Sequence, residues 1–303
     1  MSTATPTRTH DDADAGRREA IGLFLGFLGV VMFGGTLPFT KLAVGELSPW
    51  FITIGRAAAA GLLALATIAL TRAPRPKRVD ILPLVVSGAF LIIGFPALMT
   101  TALKQVPAIH GAIVIGVLPL ATVVAAAILL GERPSRAFWG YAILGALSVV
   151  AYALTRGGLA VHVHDLLLLG SVACAASGYA IAGRLSRQMR GWAVISWSLV
   201  LLLPVNLPLA VWLAPADPGA VSASAWTGFA YVSVFSMFLG FFAWNAGLAM
   251  GGVARVSQTQ LLQTFVSLAI AVPLLGERLD AHALFFASAV VVIVFLGRRA
   301  RVG

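Results

Sequence analysis

The chain has 303 residues, of which 59% are hydrophobic and 11% charged, against roughly 45–50% and about 25% in soluble domains. A water-soluble globule cannot hide that much apolar surface, so the solvent for most of this chain is a lipid bilayer. The net charge of +10 does not mark a nucleic-acid binder, because the basic residues are scattered between apolar runs, and the lone Cys174 excludes an intrachain disulfide and a cysteine metal site.

In chain order, residues 1–20 are polar and read as a disordered cytoplasmic tail. They do not have the layout of a signal peptide. Ten apolar runs follow, at 21–43, 50–71, 80–103, 107–130, 137–155, 165–186, 192–213, 225–249, 253–275 and 281–297. Each approaches the ~20 residues a membrane-spanning helix needs. They are continuous rather than alternating, which favours helices over a β-barrel. The breaks carry turn residues, as in Gly157-Gly158 and Ala214-Pro215-Ala216-Asp217-Pro218-Gly219. The expected fold is an all-α integral membrane protein with ten transmembrane helices.

Direction follows from the positive-inside rule. With both termini in the cytoplasm, 16 of the 21 Lys and Arg fall in inside segments and four outside, with Arg56 inside helix 2. Trp50, Trp139, Trp192, Trp212 and Trp226 fall at predicted helix ends, where interfacial anchors belong. A bacterial inner membrane is the expected location. The histidine pair His162 and His164 reads as interfacial loop, and no metal is assigned.

The pentapeptide Leu-Leu-Gly-Glu-Arg closes helix 4 at 129–133 and helix 9 at 274–278, an offset of 145. Five helices separate equivalent points, so the two copies point oppositely through the membrane. The chain therefore reads as a 5+5 inverted-topology repeat around a central cavity, with halves at 21–156 and 157–303. In each copy the Gly is suited to end a helix in the left-handed conformation. Glu132 and Glu277 sit at helix C-termini, where a carboxylate opposes the dipole. Their expected partners are their own Arg neighbours or the amides starting the next helix, where Ser135 and Asp280 are candidate N-caps. A tight-turn staple and a gating ion pair are both open readings.

These motifs resemble the drug/metabolite transporter superfamily in its ten-helix EamA-type branch. The likeness rests on the two Leu-Gly-Glu-Arg copies, Thr100-Thr101-Ala102-Leu103-Lys104, Phe33-Gly34-Gly35-Thr36-Leu37-Pro38-Phe39-Thr40-Lys41 and Arg56. Phe33 stands where the family usually has Trp. The resemblance implies a cavity lined by helices 1, 3, 4, 6, 8 and 9. Within the branch the chain is most similar to the YddG-type amino-acid exporters.

The eleven acidic residues all fall in tails, loops or helix ends. No mid-membrane carboxylate is available to relay protons or bind cationic drugs. Facilitated diffusion is therefore the expected energetics, with His110 as a possible titrating group. Arg56 lies about 10 Å into helix 2 by helical rise. It reads as a structural or outer-gate charge pairing with Glu46 or Glu277, with substrate contact as the alternative. Ser257, Gln260, Gln263, Thr264 and Ser267 form a polar stripe on helix 9, whereas their mates in helix 4, Ala112, Ile115, Leu118, Pro119 and Thr122, are nearly all apolar. The stripe either lines the cavity or bonds neighbouring helices.

Candidate substrate contacts are Thr36, Phe39, Phe95, Met99, Tyr179, Phe238, Trp244, Asn245, Gln260, Gln263, Thr264 and Ser267. Pro119 and Pro273 are candidate hinges, with static kinks as the alternative. The expectation is a secondary transporter, not an enzyme, that exports amino acids or similar neutral or zwitterionic metabolites, aromatic and apolar ones among them, by alternating access. A phosphorylated or nucleotide-linked sugar transporter and a channel are the alternatives. Expected partners are the bilayer and a small-molecule substrate, with no nucleic acid, no cofactor and a monomeric state.

Overall fold

The computed structural model describes residues 10–156 and 162–299, and the regular elements among them are all helical. Gly157-Gly158, expected as a break, lie outside the described residues. The α-helices are α1 (His10–Gly34), α2 (Thr36–Val44), α3 (Pro49–Thr71), α4 (Arg78–Gly88), α5 (Phe95–Leu103), α6 (Ala108–Ile115), α7 (Leu118–Leu130) and α8 (Arg136–Arg156), then α9 (Val163–Leu185), α10 (Gly191–Trp212), α11 (Ala223–Tyr231), α12 (Gly240–Gly251), α13 (Val253–Thr259), α14 (Gln263–Leu275) and α15 (Ala281–Arg299). A π-helical stretch, Ala89–Gly94, joins α4 to α5, and a second, Val232–Leu239, joins α11 to α12. A 3₁₀ turn, Gln260–Leu262, joins α13 to α14.

Eight helical stretches among the described residues are long and apolar enough to cross a membrane, or nine if α6 and α7, bent by 43°, form one span. The stretch Ala281–Gly297 is apolar but shorter. The expected count of ten is thus met for eight or nine by length and composition. Residues 10–20, expected as a disordered tail, instead belong to α1. Once the apolar run has nucleated a helix, each added residue gains a hydrogen bond at little further cost. Glu19 is also held there by an ion pair with Arg255.

From α4 and α11 onward the two halves correspond element by element. At an offset of 145 the first residues of α4 to α8 (Arg78, Phe95, Ala108, Leu118, Arg136) map onto those of α11 to α15 (Ala223, Gly240, Val253, Gln263, Ala281). The π stretches and the breaks before α7 and α14 fall in the same register. The packing repeats too: α1 lies on α12 and α14, while α9 lies on α5 and α7. The pairs α3–α10 and α8–α15 join the halves directly. The α1–α12 contact is backbone against backbone. A Cβ on Gly22 would collide with the Gly251 nitrogen, and one on Gly247 would meet the Gly26 nitrogen at 2.5 Å.

Both pentapeptides end their helices as the sequence suggests, with Gly131 at φ 70° and Gly276 at φ 65°. Glu277 differs from expectation. The Glu277 carboxylate accepts from the backbone N–H of Ala108 at 2.6 Å and of Ile109 at 2.8 Å. It thus caps α6, in the other half of the chain, rather than the helix that follows it. Pro107 precedes α6 and offers no side-chain cap, so the first amides of α6 need an outside acceptor. A carboxylate there also complements the helix dipole. Glu132 pairs with Arg187 at 3.3 Å, and both side chains are solvent-accessible.

The expected caps Ser135 and Asp280 are in place, accepting from Phe138 at 3.2 Å and Ala283 at 2.7 Å. Asp280 is held below the usual aspartate range, first by the Ala283 amide and then by Arg156, whose Nη2 lies 2.6 Å from its Oδ2. A carboxylate with a depressed folded-state pKa stabilises fully above its unfolded value, and loses that contribution as pH falls through the folded value. Wild type is therefore expected to exceed Asp280→Asn in melting temperature at pH 7. The gap should narrow as pH falls below the unfolded aspartate value and close once it passes below the folded one, read by thermal unfolding in detergent.

Candidate functional site

Two small cavities lie near the middle of the helical stretches and share Leu37, Ile115, Leu118, Gln260 and Gln263. The first, about 40 Å³, has Ala112, Ile115, Leu118 and Pro119 on one wall and Gln260, Gln263, Thr264 and Ser267 on the other. Three of the five mirror pairs that the sequence contrasts, Ile115 with Gln260, Leu118 with Gln263 and Pro119 with Thr264, thus line one cavity. The second, about 50 Å³, adds Phe33, Thr36, Arg56, Leu91, Phe95, Tyr179, Ser236, Met237 and Phe241. Together they form a central chamber. A water molecule occupies about 30 Å³ of liquid, so the chamber admits a small polar headgroup and little more.

Irregular backbone builds much of this wall. Leu91 comes from one π stretch, and Ser236 and Met237 from the other. The extra residue in a π turn rotates following side chains off the regular helical face, and such turns recur at functional sites. Gln260 sits in the 3₁₀ turn and Gln263 begins α14. Broken helices at membrane depth occur where backbone is buried in protein or faces a cavity.

From the chamber a vestibule of about 470 Å³ leads outward, and Leu91, Tyr179 and Phe241 line both spaces. Its wall includes Ser87, Ile195, Trp244 and Asn245, and it reaches the exposed Gly183, Ser186 and Arg187. The vestibule therefore opens at the end of the molecule that carries Glu132. Ser87 and Ser198 donate to the carbonyls of Gly178 and Leu84 at 2.9 Å each, which leaves the vestibule largely apolar in character.

The Glu277 end is shut. Leu37, Met99, Leu103 and Ile113 pack there in the largest buried apolar cluster. Cross-links hold this end together: Glu277 on α6, Lys41 Nζ on the Leu103 carbonyl at 2.7 Å, and Glu46 accepting from the Ser222 amide at 2.7 Å. The Ser222 hydroxyl first, and then its amide, hold Glu46 below the ordinary glutamate range.

The expected contacts separate into groups. Thr36, Phe95, Tyr179, Gln260, Gln263, Thr264 and Ser267 line the chamber, and Trp244 and Asn245 line the vestibule. Thr36 is bonded to Ser236 at 2.7 Å. Ser267 donates to the Gly34 carbonyl at 2.7 Å, so the polar stripe serves both roles, with Ser267 tying α14 to α1. Asn245 donates to the Phe241 carbonyl of its own helix.

Three candidates lie elsewhere. Phe39 stacks on Tyr231 with centroids 3.8 Å apart. Met99 is fully buried in the apolar cluster, and Phe238 packs against Phe242 in a second cluster. Of the expected hinges, Pro119 follows the 43° bend and lines the chamber. Pro273 lies inside the continuous α14, well past the Gln260–Leu262 break.

Arg56 departs most from expectation. It neither pairs with Glu46 or Glu277 nor stands apart from the cavity. Only 2% of its surface is exposed, it lines the chamber, and its Nε and Nη1 have no hydrogen-bond partner.

A separate pocket of about 510 Å³ lies at the Glu277 end, lined by His110, Tyr152, Arg156, His162, His164 and Asp165 among others. Ligand atoms of His162, His164 and Asp165 lie within 4.8 Å of one another, close enough to hold an ion. Asp165 is also committed within the protein: Oδ1 lies 2.8 Å from His110 Nε2 and Oδ2 accepts from the His162 amide. The reading of His162 and His164 as interfacial loop leaves out Asp165, the adjacent residue that completes the grouping.

Comparison with known proteins fits this geometry. The model of the EamA-like transporter family matches the chain twice, at residues 20–154 and 163–297. The chain is 41% identical over 278 residues to the Bacillus subtilis (strain 168) protein named "Uncharacterized transporter YdeK", covering 92% of this chain and 97% of that one. It is 25% identical over 250 residues to "Uncharacterized transporter YyaM" of the same strain, covering 78% and 81%. A solved crystal structure shares the fold, with a TM-score of 0.61 over 93% of this chain and 99% of that one, at 19% identity.

Proposed function

We propose that the chain, which belongs to the EamA-like transporter family, is an exporter of amino acids and related zwitterionic metabolites, aromatic and apolar ones among them. The observation that carries this reading is the polarity step along one continuous path. A chamber with one polar wall, sized for a headgroup, opens past Leu91, Tyr179 and Phe241 into a largely apolar vestibule of about 470 Å³ that includes Trp244. A solute with a compact charged end and a large apolar end matches both spaces. A sugar phosphate would place its hydroxyls against an apolar wall. The YddG-type branch of the family is the assignment this supports.

The architecture we propose is ten spans in a 5+5 inverted repeat, with halves at 21–156 and 157–303 and both termini cytoplasmic. The element correspondence at offset 145 supports the repeat, and the charge distribution supports the direction. In that frame the vestibule faces the cytoplasm of a bacterial cell and the sealed end faces outward, the state in which an exporter loads. Alternating access, downhill and by a monomer, completes the reading.

The test is reconstitution into liposomes with a panel of labelled solutes. Saturable uptake of Phe, Trp, Met or Thr is expected. Transport of phosphates with no amino acid moved would sink the proposal, and conductance without saturation would mark a channel. Trp244→Ala is expected to raise KM for Phe about tenfold while changing KM for Thr by less than about threefold, because the lost contact is with the apolar end.

A further inference from the structure

We propose that Arg56 is the anchor for a substrate carboxylate, so that a carboxylate is the required element of whatever this protein moves. The inference deepens the reading above and rests on the same chamber. Arg56 lies in α3, is 2% exposed, and leaves both Nε and Nη1 without a partner. Those atoms belong to different edges of the guanidinium, so each of its two bidentate faces keeps an unused donor.

An unpaired charge in a protein interior is among the costliest arrangements a fold can contain. Such a group is retained where an anion meets it during the working cycle. Among the described residues no carboxylate supplies that anion. Glu46 is bonded to Ser222, Glu277 to α6 and Asp165 to His110. The titratable group that faces Arg56 is Tyr179, a neutral phenol at working pH.

What remains open to Arg56 is the chamber itself, with the vestibule beyond Tyr179. A planar carboxylate fits a guanidinium edge in two parallel hydrogen bonds. The chamber volume of about 50 Å³ suits that headgroup, and the rest of the molecule extends into the vestibule. A phosphate of a large sugar matches the charge but not the apolar space beyond.

The experiment uses the purified full-length protein and reads thermal stabilisation by four probes: phenylalanine, phenylalanine amide, phenethylamine and 3-phenylpropionate. In wild type, phenylalanine and 3-phenylpropionate are expected to stabilise. The two probes without a carboxylate are expected to bind at least tenfold more weakly. In Arg56→Met that discrimination disappears. The ligand-free Arg56→Met protein is expected to melt at the wild-type temperature or above, since an unpaired buried charge has been removed. Arg56→Lys is expected to keep the preference for carboxylates with at least tenfold weaker binding, because the fork is lost.

A fall in ligand-free melting temperature in Arg56→Met would show a structural partner and overturn the proposal. Equal binding of phenylalanine and its amide to wild type would overturn it as well. If 3-phenylpropionate binds through Arg56 but no amino acid is transported, the anchor stands and the amino-acid reading falls. If amino acids are transported equally by wild type and Arg56→Met, the anchor falls and the amino-acid reading stands.

Discussion

Gly247→Leu is expected to abolish accumulation of folded protein, whereas Gly140→Leu leaves it intact. Both glycines lie inside long helices, so helix propensity favours each replacement equally. Their surroundings differ. A Cβ on Gly247 falls 2.5 Å from the Gly26 nitrogen and 2.8 Å from the Gly22 carbonyl oxygen, whereas a Cβ on Gly140 meets nothing within 4 Å. The obstructing atoms at Gly247 are backbone, which has no rotamer to change. Relief requires α1 and α12 to separate along their whole contact, and the pair Gly22–Gly251 is just as tight. Membrane helices have no hydrophobic force pulling them together, so close packing of small residues carries their association. The cost is expected to exceed the ~1–3 kcal/mol of ordinary overpacking, against about 0.5 kcal/mol or less for Gly140→Leu. Size-exclusion profiles and thermal unfolding in detergent separate the two. A monodisperse Gly247→Leu protein with wild-type melting would disprove the close contact.

That contact shows how unevenly the sequence discloses its structure. Gly22–Gly26 and Gly247–Gly251 are each visible as a pair four residues apart, but nothing in the sequence says that the two pairs meet. The helices themselves are legible because a bilayer demands long apolar segments, and the two LLGER copies fix the register of the repeat. The opposition of helices 4 and 9 is also readable, since an offset of 145 pairs Gln260 with Ile115 and Gln263 with Leu118, which share a cavity.

The π stretches are not readable. Nothing in Ala89–Gly94 or Val232–Leu239 marks an extra residue per turn, and regular helical spacing misplaces the side chains that follow. Leu91, Ser236 and Met237 line the chamber from those stretches and are not among the expected contacts, whereas Phe238, an aromatic candidate, packs in the second apolar cluster. Of the two readings of Arg56, the ion pair fails for another reason. A buried cation calls for a carboxylate, and Glu46 and Glu277 are the outer carboxylates the sequence offers. Both are taken by backbone amides, a use of carboxylates that sequence spacing cannot reveal at separations of 169 and 176 residues.

Glu277→Ala is expected to destabilise the protein by about 2–4 kcal/mol, whereas Arg187→Ala costs about 1 kcal/mol or less. Hydrogen bonds to a charged group contribute roughly 1.5–3 kcal/mol each and a lost helix cap about 1 kcal/mol. Glu277 accepts two such bonds in partly buried surroundings. Arg187 pairs with Glu132 in the open, at 76% side-chain exposure, where ion pairs are weak. Glu277→Gln has one acceptor oxygen for two amides, so an intermediate loss is expected. The consequence reaches beyond stability if the ends open in turn. Glu277 joins the end of α14 to the start of α6 only while the Glu277 end is shut. Removing it raises the closed state alone, and each 1.4 kcal/mol of that loss shifts the population tenfold toward the state open at this end. A pair of spin labels at Gln105 and Arg278 is expected to report longer distances in Glu277→Ala than in wild type, with no such change in Arg187→Ala. Equal distances in all three proteins, with the stability loss present, would confine Glu277 to a static cap and remove it from the gate.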